Sequence, residues 1–247
     1  MGLTVHYKSK APAETNAAQA KRLVVSARRI ASRFEREGCF DAVGPVSADA
    51  GLLDRFATDY LSLPVPGERN TFTGVEVAPL EGWMFLVRVG RDCEPLRVGL
   101  CRYPAKVAIR GRVLCTKLGD GWRFWGFTKT QYASLHGWEH FLRCHRAVID
   151  LLVALRPLGF RVRISDEGDY WPRRSITALR HNVGHMNALV AGMAGALKDA
   201  GDGKGIESPI FAHKDFERLE AEGEARAGEA VRQASGEISK LLRKSGR

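Results

Sequence analysis

WRFWGFTKTQYASLHGWEHFLRCHRAVIDLLVALRPLGFRVRI, residues 122–164, decides how the chain is built. It opens on an aromatic strand pattern, WRFWGF at 122–127, and closes on FRVRI at 160–164, where Phe160, Val162 and Ile164 alternate with Arg161 and Arg163. Between them, WEHFLRCHRAVIDLLVALRPLG (138–159) has a helical pattern and is stopped by Pro157 and Gly159. Strand, crossover helix, strand is a βαβ unit, and within one sheet such a crossover leaves its two strands parallel. Both strands then finish at the same edge. The loops that follow them, TKTQYASLHG (128–137) and SDEGDYWPRR (165–174), face each other where open sheets with crossover helices hold ligands.

Working outward, LTVHYK (3–8) alternates as a half-buried strand, with Leu3, Val5 and Tyr7 on one side and His6 and Lys8 on the other. Asn16 and Gln19 have capping-box spacing ahead of a helix over 15–37, whose apolar stripe is Ala20, Leu23, Ala27, Ile30 and Phe34. Residues 45–80 are rich in Pro, Gly, Ser and Asp and read as an irregular excursion. WMFLVRV (83–89), LRVGLCRY (96–103), KVAIRGRVLC (106–115, turning at Gly111) and WRFWGF read as an antiparallel meander. Ser175 caps a helix over 175–199 in which Ile176, Leu179, Val183, Met186, Val190, Met193 and Leu197 form the expected core stripe.

The expected fold is α+β: a mostly antiparallel sheet with a C-terminal βαβ-like unit and helices 15–37, 138–156 and 175–199 packed on one face. Residues 1–200 form a single domain in this reading. Residues 201–247 form a glycine-containing linker and a polar C-terminal helix or tail able to contact a partner.

With 45% hydrophobic and 27% charged residues, the composition is that of a globular protein with a real core. No run approaches the roughly 18 apolar residues of a membrane span, and the N-terminal stretch lacks an apolar signal segment, so the expectation is a cytoplasmic protein without a membrane partner. Five widely spaced cysteines with no CxxC pair argue against a disulfide framework or a zinc ribbon. The formal net charge is +10. Residues 201–247 carry 9 basic and 9 acidic side chains, so the excess lies upstream, and residues 88–129 hold 10 basic against 3 acidic. A basic surface of this kind attracts phosphates or nucleic acid.

The two opposed loops supply the candidate chemistry. Asp166, Glu167 and Asp169 are hard oxygen ligands for Mg²⁺ or another divalent cation, with Gly168 allowing a sharp turn. Lys129, Ser134 and Trp171 are candidate substrate contacts, and His140 or Tyr132 the acid or base. Together they suit a hydrolase or transferase acting on a phosphate-bearing substrate. A structural turn competes and stands ahead of this: acidic residues before a helix start favour its dipole, and Arg173 and Arg174 are ready ion-pair partners. His181 and His185 have metal-ligand spacing but fall opposite the apolar stripe, so they read as surface residues. His145 reads as a satisfied core histidine and Cys144 as a buried thiol. The alternative function is a noncatalytic nucleic-acid-binding or protein-interaction domain. It would use a basic sheet face built from Lys8, Lys106, Arg110, Arg112, Arg161 and Arg163, with Trp122, Trp125 or Tyr103 beside it.

Five stretches in order, MGLTVHYK (1–8), GLCRYP (99–104), KTQYAS (129–134), FLRCH (141–145) and DEGDYW (166–171), resemble an uncharacterised family of bacterial proteins over residues 1–199. That resemblance implies no activity, cofactor, partner or catalytic residue.

Overall fold

The computed structural model describes residues 3–200 and 208–229. In chain order these contain β1 (Thr4–Lys10), α1 (Ala17–Arg36), β2 (Ala42–Val43), α2 (Ala50–Ala57), β3 (Asp59–Pro64), β4 (Phe72–Val77), β5 (Glu81–Arg88), β6 (Leu96–Arg102), β7 (Lys106–Ile109), β8 (Arg112–Cys115), β9 (Arg123–Lys129), α3 (Trp138–Ala154), β10 (Arg161–Asp166) and α4 (Ile176–Ala200). A further helix, α5, covers residues 216–229. The fold is α+β. Its main sheet has six strands in the order β10-β1-β9-β6-β5-β2, and every neighbouring pair is antiparallel. None of the described helices is long and apolar enough to cross a membrane.

The crossover unit β9-α3-β10 is present, but its two strands are not direct neighbours. β1 lies between them and pairs antiparallel with both, which makes β9 and β10 parallel to each other. The consequence drawn from the sequence therefore holds by a different route: β9 and β10 end at one edge of the sheet.

Alternation along these strands separates two faces. Val5, Tyr7 and Ser9 point the same way as their partners Thr128, Gly126 and Phe124 on β9 and Asp166, Ile164 and Val162 on β10. This is the face on which α1 and α3 pack. The Asn16–Gln19 capping box forms as expected, and α1 turns Ala20, Val24, Ala27 and Ala31 fully inward. Small residues there let α1 approach the sheet closely, while Leu23, Ile30 and Phe34 flank the contact half-buried.

Several expectations need correction. A helix that the sequence reading did not include, α2, lies on the other side of the sheet: its Phe56 stacks beneath the Arg97 guanidinium, which also lies over Phe127. Residues 45–80 hold α2 and the β3–β4 hairpin, whose short elements lack the length that makes periodicity visible. KVAIRGRVLC is a hairpin, with left-handed φ at both Arg110 and Gly111 as a two-residue primed turn requires, yet it forms its own two-stranded sheet. Only the first part of the α4 stripe is core: Leu179 and Val183 are buried, whereas Ile176, Met193 and Leu197 are exposed. Beyond Val183, α4 turns Ala188, Ala191 and Ala194 toward Ile210 and Leu219, a second small cluster to which α5 contributes. A Cβ on Gly223 would collide with the Ala188 carbonyl oxygen, so backbone packs on backbone there. The tail beyond residue 229 and the linker 201–207 lie outside the described residues.

One side chain closes the middle of the sheet. β6 and β9 share a single register pair, Cys101 with Arg123. In the gap beyond it, the buried Tyr7 hydroxyl reaches across Gly126, donates to the Arg97 carbonyl (2.7 Å) and accepts from the Arg97 N–H (3.1 Å). Burial pushes the Tyr7 phenol up to about 12, so it stays a donor. A Cβ at position 126 would stand 2.5 Å from the Tyr7 oxygen. Tyr7→Phe is expected to cost roughly 1–3 kcal/mol, because both Arg97 backbone groups lose their partner, and Gly126→Ala roughly 1–3 kcal/mol by overpacking. Urea unfolding of the single and double variants checks this: the two losses should fall well short of adding, since either change displaces the same hydroxyl.

Candidate functional site

The two loops meet at the common edge, through a buried polar network that runs between elements. Thr130, just past β9, places Oγ1 2.9 Å from Nδ1 of His145 on α3. Nε2 of His145 lies 3.2 Å from Oδ1 of Asp166 at the end of β10. That second contact has ion-pair distance without the alignment of a hydrogen bond, so Nε2 has no hydrogen-bond acceptor in line. All three side chains are closed to solvent. A carboxylate facing Nε2 favours the proton on that nitrogen, which leaves Nδ1 to accept from the Thr130 hydroxyl.

Asp166 also accepts from the backbone N–H groups of Gly168 (2.8 Å) and Trp171 (2.9 Å). Burial alone would raise its pKa. The contact with His145 and the two N–H donors outweigh that, and its carboxyl is held below the usual range. The turn is sharp at Asp169, whose φ is +55°, rather than at Gly168. Gly168 is needed for space: a Cβ there would meet Leu179 at 2.5 Å and the His145 ring at 3.3 Å.

The other carboxylates of the acidic turn have separate tasks. Glu167 accepts from the Thr4 N–H (2.9 Å) and approaches His6 Nε2 (3.3 Å), which pins β10 to β1. Asp169 accepts from Asn182 Nδ2 on α4 (3.1 Å). Asp166, Glu167 and Asp169 thus point to three different neighbours, and among the described residues no three His, Cys, Asp or Glu side chains are placed to share a cation. Ser175 caps α4 as expected, accepting from the Ala178 N–H (3.1 Å).

The remaining candidates are dispersed. The Lys129 ammonium is 3.5 Å from Glu94. Ser134 accepts from Asn187 Nδ2 (3.0 Å), and Asn187 in turn accepts from buried Gln131, whose own oxygen takes the Leu3 N–H. The Arg156 and Arg174 guanidinium groups both lie against the Trp171 ring, 5.1 and 5.3 Å from its centre. Tyr132 is half-buried in the 3-10 turn Gln131–His136. His140 faces away from Asp166, toward the Arg91 carbonyl (3.1 Å) and the Cys144 sulfur (3.8 Å). His181 and His185 are exposed, as their position opposite the stripe indicated. The histidine that completes the sheet edge is His145. Its core reading was correct, but the carboxylate that satisfies it was visible only once β10 was placed beside β1.

The opposite face of β10-β1-β9 differs sharply. Registers place nine outward side chains in three rows: Ser165, His6 and Phe127; Arg163, Lys8 and Trp125; Arg161, Lys10 and Arg123. Rows two residues apart along a strand are about 6.7 Å apart, and neighbouring strands about 4.8 Å. Lys8, Lys10, Arg161 and Arg163 are exposed, and among the described residues none has a carboxylate within ion-pair distance. Trp125 is 38% exposed in their midst. Lys8, Lys10, Arg123 and Trp125 also line a groove of about 460 Å³ whose far side includes Tyr60, 72% exposed. Asp59 lines it too, its carboxyl pushed up by burial.

The basic face named from the sequence is thus partly redrawn. Lys106, Arg110 and Arg112 sit on the β7–β8 hairpin, and Arg112 is paired with Glu68. Trp122 is buried against Trp83, and Tyr103 is buried with its hydroxyl on the Ala57 carbonyl. Lys10 and Arg123 were missed. The alternation of β1 carries on two residues past Lys8, and that of β9 begins at Arg123, which was the available signal.

The Asp166 network makes a pH-dependent prediction. A carboxyl whose folded pKa lies below its unfolded value of about 3.9 contributes stability in full above that value, and the contribution is lost as pH falls through the folded value. At pH 7, Asp166→Asn is expected to cost on the order of 3 kcal/mol, because a buried partner of His145 is removed. Denaturant melts of parent and variant should converge as pH falls below about 4; a gap that stays constant down to pH 2 would contradict the assigned role.

No protein-family model, curated protein or solved structure matches the chain, so the likeness of the five short stretches to a bacterial family gains no support from these comparisons.

Proposed function

We propose that the protein binds single-stranded nucleic acid on the open face of β10-β1-β9, and that it does so without catalysis. The observation that carries this reading is the unpaired cationic grid. Lys8 stands directly opposite Arg163, and Lys10 opposite both Arg161 and Arg123. Like charges opposite one another across strands destabilise a sheet; no carboxylate stands within ion-pair distance of Lys8, Lys10, Arg161 or Arg163 among the described residues, and Asp59 in the adjoining groove acts at longer range on Lys8 and Arg123 alone. A polyanion would relieve them all at once.

The spacing suits a single strand. Two rows, Arg163, Lys8 and Trp125 and then Arg161, Lys10 and Arg123, cross the three strands and give a track on which phosphates would meet ammonium and guanidinium groups, while Trp125 and Tyr60 offer surfaces for unstacked bases. A duplex buries its base faces, so those aromatics would be idle against it. The groove beside Lys8 and Lys10 is large enough to accept a base.

The hydrolase or transferase reading has weaker support. Its acid–base and metal candidates either hold the loops together or face different partners, and Asp166, His145 and Thr130 have no exposed surface to offer a substrate.

Fluorescence anisotropy with labelled poly-pyrimidine oligonucleotides tests the proposal. Binding should weaken steeply with salt, with a log–log slope of about 0.7 per phosphate contacted. Lys8→Glu with Arg163→Glu should lower affinity by about tenfold or more and flatten that slope. Trp125→Ala should cost about 1–3 kcal/mol while leaving the slope unchanged. Equal affinity for duplex and single strand, or salt-insensitive binding, would refute it.

A further inference from the structure

The groove beside Lys8 and Lys10 holds a carboxylate among its cations. Asp59 opens β3 directly after α2, and it lines the groove together with Leu61, Leu118, Tyr103 and Trp125. Asp59 and Leu61, two positions apart on a strand, share one side of β3. Tyr103 directs its hydroxyl to the Ala57 carbonyl (2.6 Å), away from any ligand in the groove.

The chain answers Asp59 only in part. Its carboxylate accepts from the Tyr60 N–H. Among the described residues no arginine, lysine or histidine stands within ion-pair distance of it. Lys8 and Arg123 act on it at longer range. Arg123 is held back by the carbonyls of Asp120 (2.6 Å) and Lys117 (3.4 Å), to which its guanidinium donates. Burial is therefore the largest influence on Asp59 and pushes its carboxyl up, against the Tyr60 N–H and the two cations. A carboxylate offers about four acceptor positions, so Asp59 has capacity left for a ligand that brings donors.

We infer that the groove is a base pocket selective for guanine, in which Asp59 accepts from N1–H and the 2-amino group while Trp125 stacks on the base; this rests on the single-strand reading above. Guanine alone among the four bases of DNA has two adjacent donors on its pairing edge. Thymine N3–H is flanked by two carbonyls, and the amino groups of adenine and cytosine each adjoin a ring nitrogen that accepts. Each of those bases sets a lone pair against an oxygen of Asp59. A guanidinium carries the same pair of donors as guanine, but it is a cation, and Lys8, Lys10 and Arg123 line the same groove. Guanine is neutral and arrives with phosphates for those three side chains. Its two N–H groups favour the ionised carboxylate and so offset the hydration that burial takes from Asp59.

Fluorescence anisotropy with oligo-dT strands carrying a single central dG, dA, dC or hypoxanthine nucleotide tests this. The dG strand should bind the parent protein about tenfold or more tightly than plain oligo-dT, as a bidentate pair to one base implies. The dA strand controls for purine stacking and should show no such gain. Hypoxanthine keeps N1–H without the 2-amino group, so its strand should fall between dG and dA. Asp59→Asn should abolish the preference for dG while plain oligo-dT binds as well or better, because a negative charge leaves the basic face. Strands that all bind equally, a dA strand as tight as dG, or a preference that survives in Asp59→Asn would overturn the guanine pocket and leave the single-strand reading standing. Failure of every strand to bind would overturn both. The ranking of strands on the parent protein is decisive by itself, so the test does not depend on the variant folding.

Discussion

A single strand inserted between two others fixes most of what this molecule presents. β1 pairs over six positions with β10 and seven with β9. Being antiparallel to both, it sets them parallel to each other and sends their following loops to one edge. Its inward residues, Leu3, Val5 and Tyr7, are core, and Tyr7 also satisfies the β6 backbone where the sheet would otherwise gape. Its outward residues, His6, Lys8 and Lys10, form the middle column of the basic grid. A slip of one residue would exchange these sets, burying two lysines and exposing three apolar side chains. Register is held against that by Glu167, which takes the Thr4 N–H, and by Gln131, which takes the Leu3 N–H. The acidic turn and the 3-10 turn are therefore clamps on β1.

What could be read from the sequence follows from how local each signal is. The Asn16–Gln19 box, the Ser175 cap and the turn at Arg110–Gly111 are written within three or four residues, and all were legible. The α3 crossover was legible because 17 helical residues repeat their pattern several times. Long-range facts were not. Nothing in FRVRI says that β1 will insert beside it, and nothing in DEGDYW says that its first carboxylate will face a histidine 21 positions earlier. The α4 stripe misled for another reason: Met193 and Leu197 continue the period of Leu179 and Val183, but contact with the main core ends first. Past that point small residues, with no hydrophobic signal, make the packing surface against α5.

The two charged regions separate on one physical criterion, whether the protein itself supplies the countercharge. Every carboxylate of the acidic turn is answered within the chain: Asp166 by His145 and two N–H groups, Glu167 by Thr4 and His6, Asp169 by Asn182. These charges do structural work and are unavailable for more. On the far side of the same strands, Lys8, Lys10, Arg161 and Arg163 are adjacent in register and unanswered by any described carboxylate within ion-pair distance. Water screens them, but sheet register holds them at fixed separation, so they cannot spread apart as charges on a flexible loop would. A rigid array that the fold strains to keep together is stabilised most by a ligand whose negative charges come at regular, short intervals. Single-stranded nucleic acid, the ligand we propose, would meet that requirement, and its bases would also have the exposed rings of Trp125 and Tyr60 to stack on. A compact anion such as one phosphate would answer only part of the grid, and on that ground we propose a polymer rather than a small substrate for this face.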